Sequence, residues 1–197
     1  MHSVSRRDVL KSLSMGLAGS ALGVIGTEAA AYARALVQAD KAANQGRYKP
    51  KFFPDHQYKS LEALCQAIIP ADERSGGAIE AGAPEFIDLV TSENPEYQLA
   101  IGGGLMWLDS ACADRFHQCF ISCTPAQQAS MLDLIAYRKN AESDSSLSQG
   151  VEFFSFVRNL TADAYATSEI GIKDLGYVGN TYLREFPGCP PVPDDKE

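Results

Sequence analysis

Cys112, His117, Cys119 and Cys123 fall within one short stretch, and their side chains could bind a metal or form covalent bonds. If that stretch is one helix, the three cysteines lie on similar faces at offsets of seven and four. Soft ligands grouped in that way could hold an ion. At 1.5 Å per residue, however, Cys112 and Cys123 are about 16 Å apart, too far for a single ion. Cys119 and Cys123 alone could share a site, or one of them could form a disulfide across the turn into the next helix. The expectation is therefore a structural disulfide or buried thiols. Other chemistry is sparsely provided for. The histidines are His2, His56 and His117. There is no Gly-x-Ser-x-Gly elbow, no Glu-x-x-His pair for a di-metal bundle, and no Cys-x-x-Cys-His or iron–sulfur spacing. The charged, glycine-bearing stretch 71–83 lacks the Lys-Ser/Thr pair and the preceding strand of a phosphate loop. None of these patterns assigns a catalytic, cofactor-binding or metal-binding residue.

The elements that would position these residues read as helices. After Pro54, with Asp55 as cap, Tyr58, Leu61, Leu64, Cys65, Ile68 and Ile69 recur at three- and four-residue intervals until Pro70 stops the helix. A loop follows, and Pro84 begins a short helix that turns Phe86, Ile87, Leu89 and Val90 inward. Asn94-Pro95 opens the longest helix, running to about Phe120, with Ile101, Leu105, Leu108, Cys112, Phe116 and Cys119 as its stripe. Gly102-Gly103-Gly104 interrupts it at a cost of roughly 2 to 3 kcal/mol against alanine, which implies close approach of a neighbouring backbone. Thr124-Pro125-Ala126-Gln127 is a capping box for a helix reaching about Asn140. Met131, Leu132, Leu134 and Ile135 form its buried face. Ser- and acid-rich 142–149 reads as loop. Phe153, Phe154, Val157, Leu160, Ala164 and Tyr165 then mark a last long helix ending near Gly171. No sustained strand alternation occurs, so the expected class is all-α, an irregular bundle of about five helices occupying 55–170. Residues 171–197 carry too many glycines and prolines to be helical and form an irregular tail.

The beginning of the chain reads as an address label. Ser5-Arg6-Arg7, followed by Leu10-Lys11 and a moderately apolar run to about Ala33, matches a twin-arginine export signal. Ala29-Ala30-Ala31 and Ala31-Tyr32-Ala33 offer small-x-small cleavage sites. Residues 1–33 are thus a signal segment and 34–54 a polar, partly helical spacer. The chain carries 17 Lys and Arg against 25 Asp and Glu. Without the signal the excess of acid grows, so the body has no electrostatic reason to bind nucleic acid or an anionic membrane. All five cysteines lie beyond the signal, and an odd number leaves one thiol free or paired with another chain. Cys189, in a proline-rich tail, could reach outward; a free buried thiol at Cys65 or Cys112 is the other possibility.

Several segments together resemble a known family. Leu61-Glu-Ala-Leu-Cys-Gln-Ala-Ile-Ile-Pro-Ala-Asp72, Gly77-Ala-Ile-Glu-Ala-Gly82, Phe86-Ile-Asp88, Phe153-Phe-Ser-Phe-Val-Arg-Asn-Leu-Thr161, Gly176-Tyr-Val-Gly179 and Phe186-Pro-Gly188 resemble the small subunit, or subunit 3, of membrane-associated gluconate 2-dehydrogenases. The resemblance implies a small subunit without chemistry of its own. It implies a partner, an FAD-dependent large subunit of the glucose–methanol–choline type that oxidises a sugar, sugar acid or polyol. That subunit passes electrons to a cytochrome c subunit or another acceptor. The large subunit of such complexes typically lacks an export signal, so this chain would escort it, already folded around FAD, through the twin-arginine translocase into the periplasm. Asp72 and Gly77, with Tyr177, Gly179, Tyr182, Phe186 and Cys189, are the expected contacts to the flavoprotein. Cys189 is the candidate for an inter-chain disulfide. A different role for the same features is a membrane-tethered scaffold or assembly factor for a sugar 3-dehydrogenase or another redox complex.

Overall fold

The computed structural model of the chain describes residues 27–44 and 46–179. Ser5, Arg6, Arg7, Leu10 and Lys11 of the expected export signal, and Tyr182, Phe186 and Cys189 of the tail, lie outside the described residues. Within them the architecture is all-α, with no strand among the described residues. The chain runs through α1 (Thr27–Ala43), α2 (Asp55–Ile68), α3 (Ala83–Ser92) and the single turn α4 (Pro95–Tyr97). It continues with α5 (Gly103–Phe116), α6 (Pro125–Ile135), α7 (Arg138–Ser143), α8 (Ser148–Ala166) and α9 (Glu169–Asp174). No helix among the described residues is long and apolar enough to cross a membrane.

Helix α8 is the central post. Val151, Phe153, Phe154, Val157, Leu160 and Ala164 are buried on it, and α2, α3, α5, α6, α7 and α9 all pack around it. Phe86 and Ile87 of α3, Leu61 and Leu64 of α2, and Leu105 and Leu108 of α5 complete the core. Each such side chain removed from water contributes about 1.5 to 3 kcal/mol before the cost of ordering the chain.

Local chemistry explains most of the boundaries. Asn94 accepts hydrogen bonds from the amides of Glu96 and Tyr97, and Thr124 with Gln127 forms the expected capping box. At α2 the cap position is Pro54, without a side-chain cap; Asp55 is instead the first helical residue, where its charge faces the positive end of the helix dipole. The long helix expected from Asn94 is divided. A π-helical segment, Gln98–Gly102, precedes α5, which stops at Phe116 because His117 turns into the left-handed region at φ 59°. The expected helix to Asn140 breaks at Ala136, and α7 follows. These breaks give more and shorter helices than the five anticipated.

Three further departures matter. Gly104 is the glycine that permits close approach, and its neighbour is a side chain rather than backbone: a Cβ there would lie 1.9 Å from Phe153 Cδ2. Residues Gly171 to Asp174, expected to be irregular, belong to α9. Ser168 caps that helix by accepting from the Gly171 amide, and the amides of Gly176 and Tyr177 return to the carbonyls of Lys173 and Ile172. Finally, α1 starts before the expected cleavage positions. Ala30 and Ala33 are buried in the core together with Val37, and the helix packs on α3. Both small-x-small sites therefore sit inside a packed helix.

The polar segment after α1 is held by one carboxylate. Fully buried Asp88 of α3 accepts from Tyr48 Oη at 2.8 Å, Lys51 N at 2.6 Å, Phe52 N at 3.1 Å and Phe53 N at 3.0 Å. Four donors on two oxygens satisfy a buried charge that would otherwise cost several kcal/mol.

Candidate partner-binding surface

The loop after α2 and the end of α8 and α9 meet at one end of the bundle. Asp72 Oδ1 accepts from the amides of Ser75 and Arg74, both at 2.8 Å, and those bonds hold its carboxyl below the usual aspartate range. Arg74 Nη2 then donates to the carbonyl of Asp174 at 2.8 Å and pairs with its carboxylate at 3.0 Å. Tyr165 Oη donates to Asp174 Oδ2 at 3.2 Å and lies 2.9 Å from Ser75 Oγ. Behind this junction, Arg34 of α1 donates to the Ala81 carbonyl at 3.2 Å and, through Nε and Nη2, to Thr167 Oγ1. One arginine thus ties α1 to both segments.

Gly77 carries the loop back over the end of α2. Its amide is accepted by Glu80 Oε2 at 2.9 Å, and the next amide, of Ala78, reaches the Ile69 carbonyl at 2.9 Å. A Cβ on Gly77 would lie 2.5 Å from Ala71 N and 2.7 Å from the Ile69 oxygen, so backbone passes backbone there without room for a side chain. Beside this rigid loop, α9 ends in an apolar, solvent-facing run. Leu175 is 65% exposed, Tyr177 56% and Val178 86%, with Ile172 also exposed. Four exposed apolar side chains within seven residues make this end of the bundle the candidate docking surface.

The cysteines occupy a second location. Because α5 ends at Phe116, the chain reverses through His117 and the turn Phe120–Ser122, which returns Cys123 to the side of Cys112 instead of about 16 Å along a continuous helix. Burial, reinforced by Cys123 alongside, pushes the Cys112 thiol up to about 12. Cys65 is enclosed near Thr161 Oγ1 at 3.5 Å, and burial likewise pushes it up to about 12. Cys65, Cys112, Cys119 and Cys123 are all free thiols. His117 serves as a helix terminus, its amide donating to the Ala113 carbonyl at 2.9 Å.

A family model described as gluconate 2-dehydrogenase subunit 3 matches residues 55–188. The chain belongs to this family. No curated protein and no solved structure matches it. The subunit 3 match begins at the first residue of α2 and covers both the 71–82 loop and the α9 end, whereas α1 and its buried alanines precede it.

Of the contacts expected from sequence, Asp72 and Gly77 lie on the rigid loop, and Tyr177 and Gly179 lie just beyond α9; the Arg74–Asp174 pair joins the two places. No sequence pattern marks Arg34, Arg74 or Asp174, which make the junction. Arg74 is exposed and Arg34 and Asp174 are half-buried, and isolated charges of this kind carry no periodic signal in a sequence. Asp88 did offer one, being an acid on the otherwise apolar face of α3.

Proposed function

We propose that this subunit 3 chain is the non-catalytic small subunit of a periplasmic dehydrogenase complex. Its partner is an FAD-dependent large subunit of the glucose–methanol–choline type acting on a sugar, sugar acid or polyol, with a cytochrome c subunit or another group as electron acceptor. The chain binds that flavoprotein and carries it through the twin-arginine translocase by means of Ser5, Arg6, Arg7, Leu10 and Lys11. FAD resides on the partner. The observation that carries the reading is the apolar run Ile172, Leu175, Tyr177 and Val178, set beside the loop bearing Asp72 and Gly77. It supports a docking surface on a family already tied by name to a dehydrogenase.

Co-expression with the flavoprotein tests binding. The tagged chain should retain a flavin-containing dehydrogenase, and Leu175→Asp with Val178→Asp should release it while leaving the melting temperature of the small subunit unchanged. Retention by the double variant would defeat the surface assignment. Arg6→Lys with Arg7→Lys tests escort: the flavoprotein should then remain in the cytoplasm, and its arrival in the periplasm would defeat that step.

A second reading, a scaffold tethered to the membrane, is favoured by the packing of α1. Cleavage at Ala31 or Ala33 would remove buried Ala30 from the core, which supports a signal that ends ahead of Ala30 or is retained. Mass spectrometry of the exported chain separates these outcomes, and retention would leave the protein in the membrane fraction after a salt wash.

A further inference from the structure

We propose that His56, Asp109 and Cys119 form a binding site for one divalent cation of borderline softness, with Zn2+ the best fit. His56 Nε2, a carboxylate oxygen of Asp109 and Cys119 Sγ all lie within 4.8 Å of one another. They come from three places in the fold: the first turn of α2, the middle of α5, and the corner beyond α5.

The pre-arrangement is specific. Asp109 Oδ1 accepts from the Phe120 amide at 2.9 Å, which fixes the carboxylate and leaves Oδ2 directed at His56 Nε2, 2.7 Å away. That amide belongs to the residue after Cys119, so the same bond also sets the position of the thiol. Cys119 Sγ has Ser122 Oγ at 3.1 Å as its other neighbour. An outer hydrogen bond orienting a ligating carboxylate is the usual support of a metal site.

Ligand chemistry selects the ion. Imidazole and thiolate exclude Mg2+ and Ca2+, which take oxygen ligands, whereas one nitrogen, one oxygen and one sulfur suit tetrahedral Zn2+ with water in the fourth position. Bonds of about 2.0 to 2.3 Å in a tetrahedron place ligand atoms roughly 3.3 to 3.6 Å apart. The His56–Asp109 pair must therefore open by about half an ångström, and Cys119 must move inward. Both are within reach, since the His56 side chain is about half exposed and Cys119 is half-buried on a turn. Binding needs His56 Nε2 without a proton, so a proton on that nitrogen passes to Nδ1 or to solvent, the Cys119 thiol proton passes to solvent, and no electron is transferred. The ion would pin the start of α2 to the corner after α5. This inference does not depend on the docking surface, which lies on other residues.

The test uses the purified full-length chain, reduced and stripped of metal, titrated with Co2+ and then Zn2+. One Co2+ per chain should bind with a thiolate-to-cobalt charge-transfer absorption, and Zn2+ should displace it. Cys119→Ser should abolish that absorption. Loss of an outer-shell partner alone costs about 10- to 100-fold in affinity, so His56→Gln, at an exposed position, and Asp109→Asn, which keeps an oxygen for the Phe120 amide, should each weaken binding at least about tenfold. Far-UV circular dichroism of the metal-free variants checks that they are folded. Native protein without a charge-transfer band, affinity unchanged in folded His56→Gln, or a band that survives Cys119→Ser would overturn the site.

Discussion

Replacing Gly104 with alanine should destabilise this protein, although the same change at Gly103 should stabilise it. Both residues are in α5, where alanine is intrinsically better than glycine by about 1 kcal/mol. At Gly103 a Cβ would have nothing within 4 Å, so the full propensity gain is expected. At Gly104 the Cβ would be 1.9 Å from Phe153 Cδ2 and 2.3 Å from its Cγ. Phe153 is buried on the central helix, and its ring cannot withdraw without displacing neighbours in the core. Overpacking of this kind costs typically about 1 to 3 kcal/mol, and an overlap this deep belongs at the upper end. Net of the propensity gain, Gly104→Ala should lose about 1 to 2 kcal/mol. The two variants should then differ by about 2 to 3 kcal/mol. For a chain of this size each kcal/mol shifts the melting temperature by roughly 2 to 4 °C, so their midpoints should lie about 4 to 12 °C apart. Thermal unfolding followed by circular dichroism reads the difference directly. Equal melting temperatures, or a more stable Gly104→Ala, would refute the packing of Phe153 on this glycine.

Asp88→Asn should cost about 2 to 4 kcal/mol in urea unfolding, because the amide nitrogen replacing one oxygen would face the Lys51 amide 2.6 Å away and leave it without an acceptor; a loss below about 1 kcal/mol would mean the segment is held otherwise. Gly77→Ala should lower stability by about 2 kcal/mol or more, since only backbone could give way, and a native-like melting temperature would contradict the crossing of residues 69–78. At mildly alkaline pH, alkylation of the native chain should modify Cys119 and spare Cys65 and Cys112, as peptide mass spectrometry would reveal. The same two thiols are raised from 9.0 to about 12, so the unfolded chain loses their protons first and stability should fall as pH rises from about 9 toward 12. A melting temperature independent of pH across that window would show that they titrate alike in both states.

The sequence by itself determined the class and several helix starts, those at Asp55, Pro95 and Pro125 among them. Apolar spacing at three and four residues, the Asn94 cap and the Thr124–Gln127 box are local signals, and a helix end depends on residues within one turn of it. The same locality explains why the family could be read from loop and packing residues such as Gly77 and Phe153. What tertiary structure decided were the long-range juxtapositions. His117 could have continued a helix; in the folded chain it ends one, which returns Cys123 to Cys112 and sets Cys119 beside His56 and Asp109. Ala30 and Ala33 read as cleavage-site residues, and only the apolar surface of α3 makes them core. Arg74 and Asp174, a hundred residues apart, meet because α8 brings its far end to the loop after α2. Pairings of this kind follow from how helices pack around a common post, and no stretch of sequence shorter than the whole bundle encodes them.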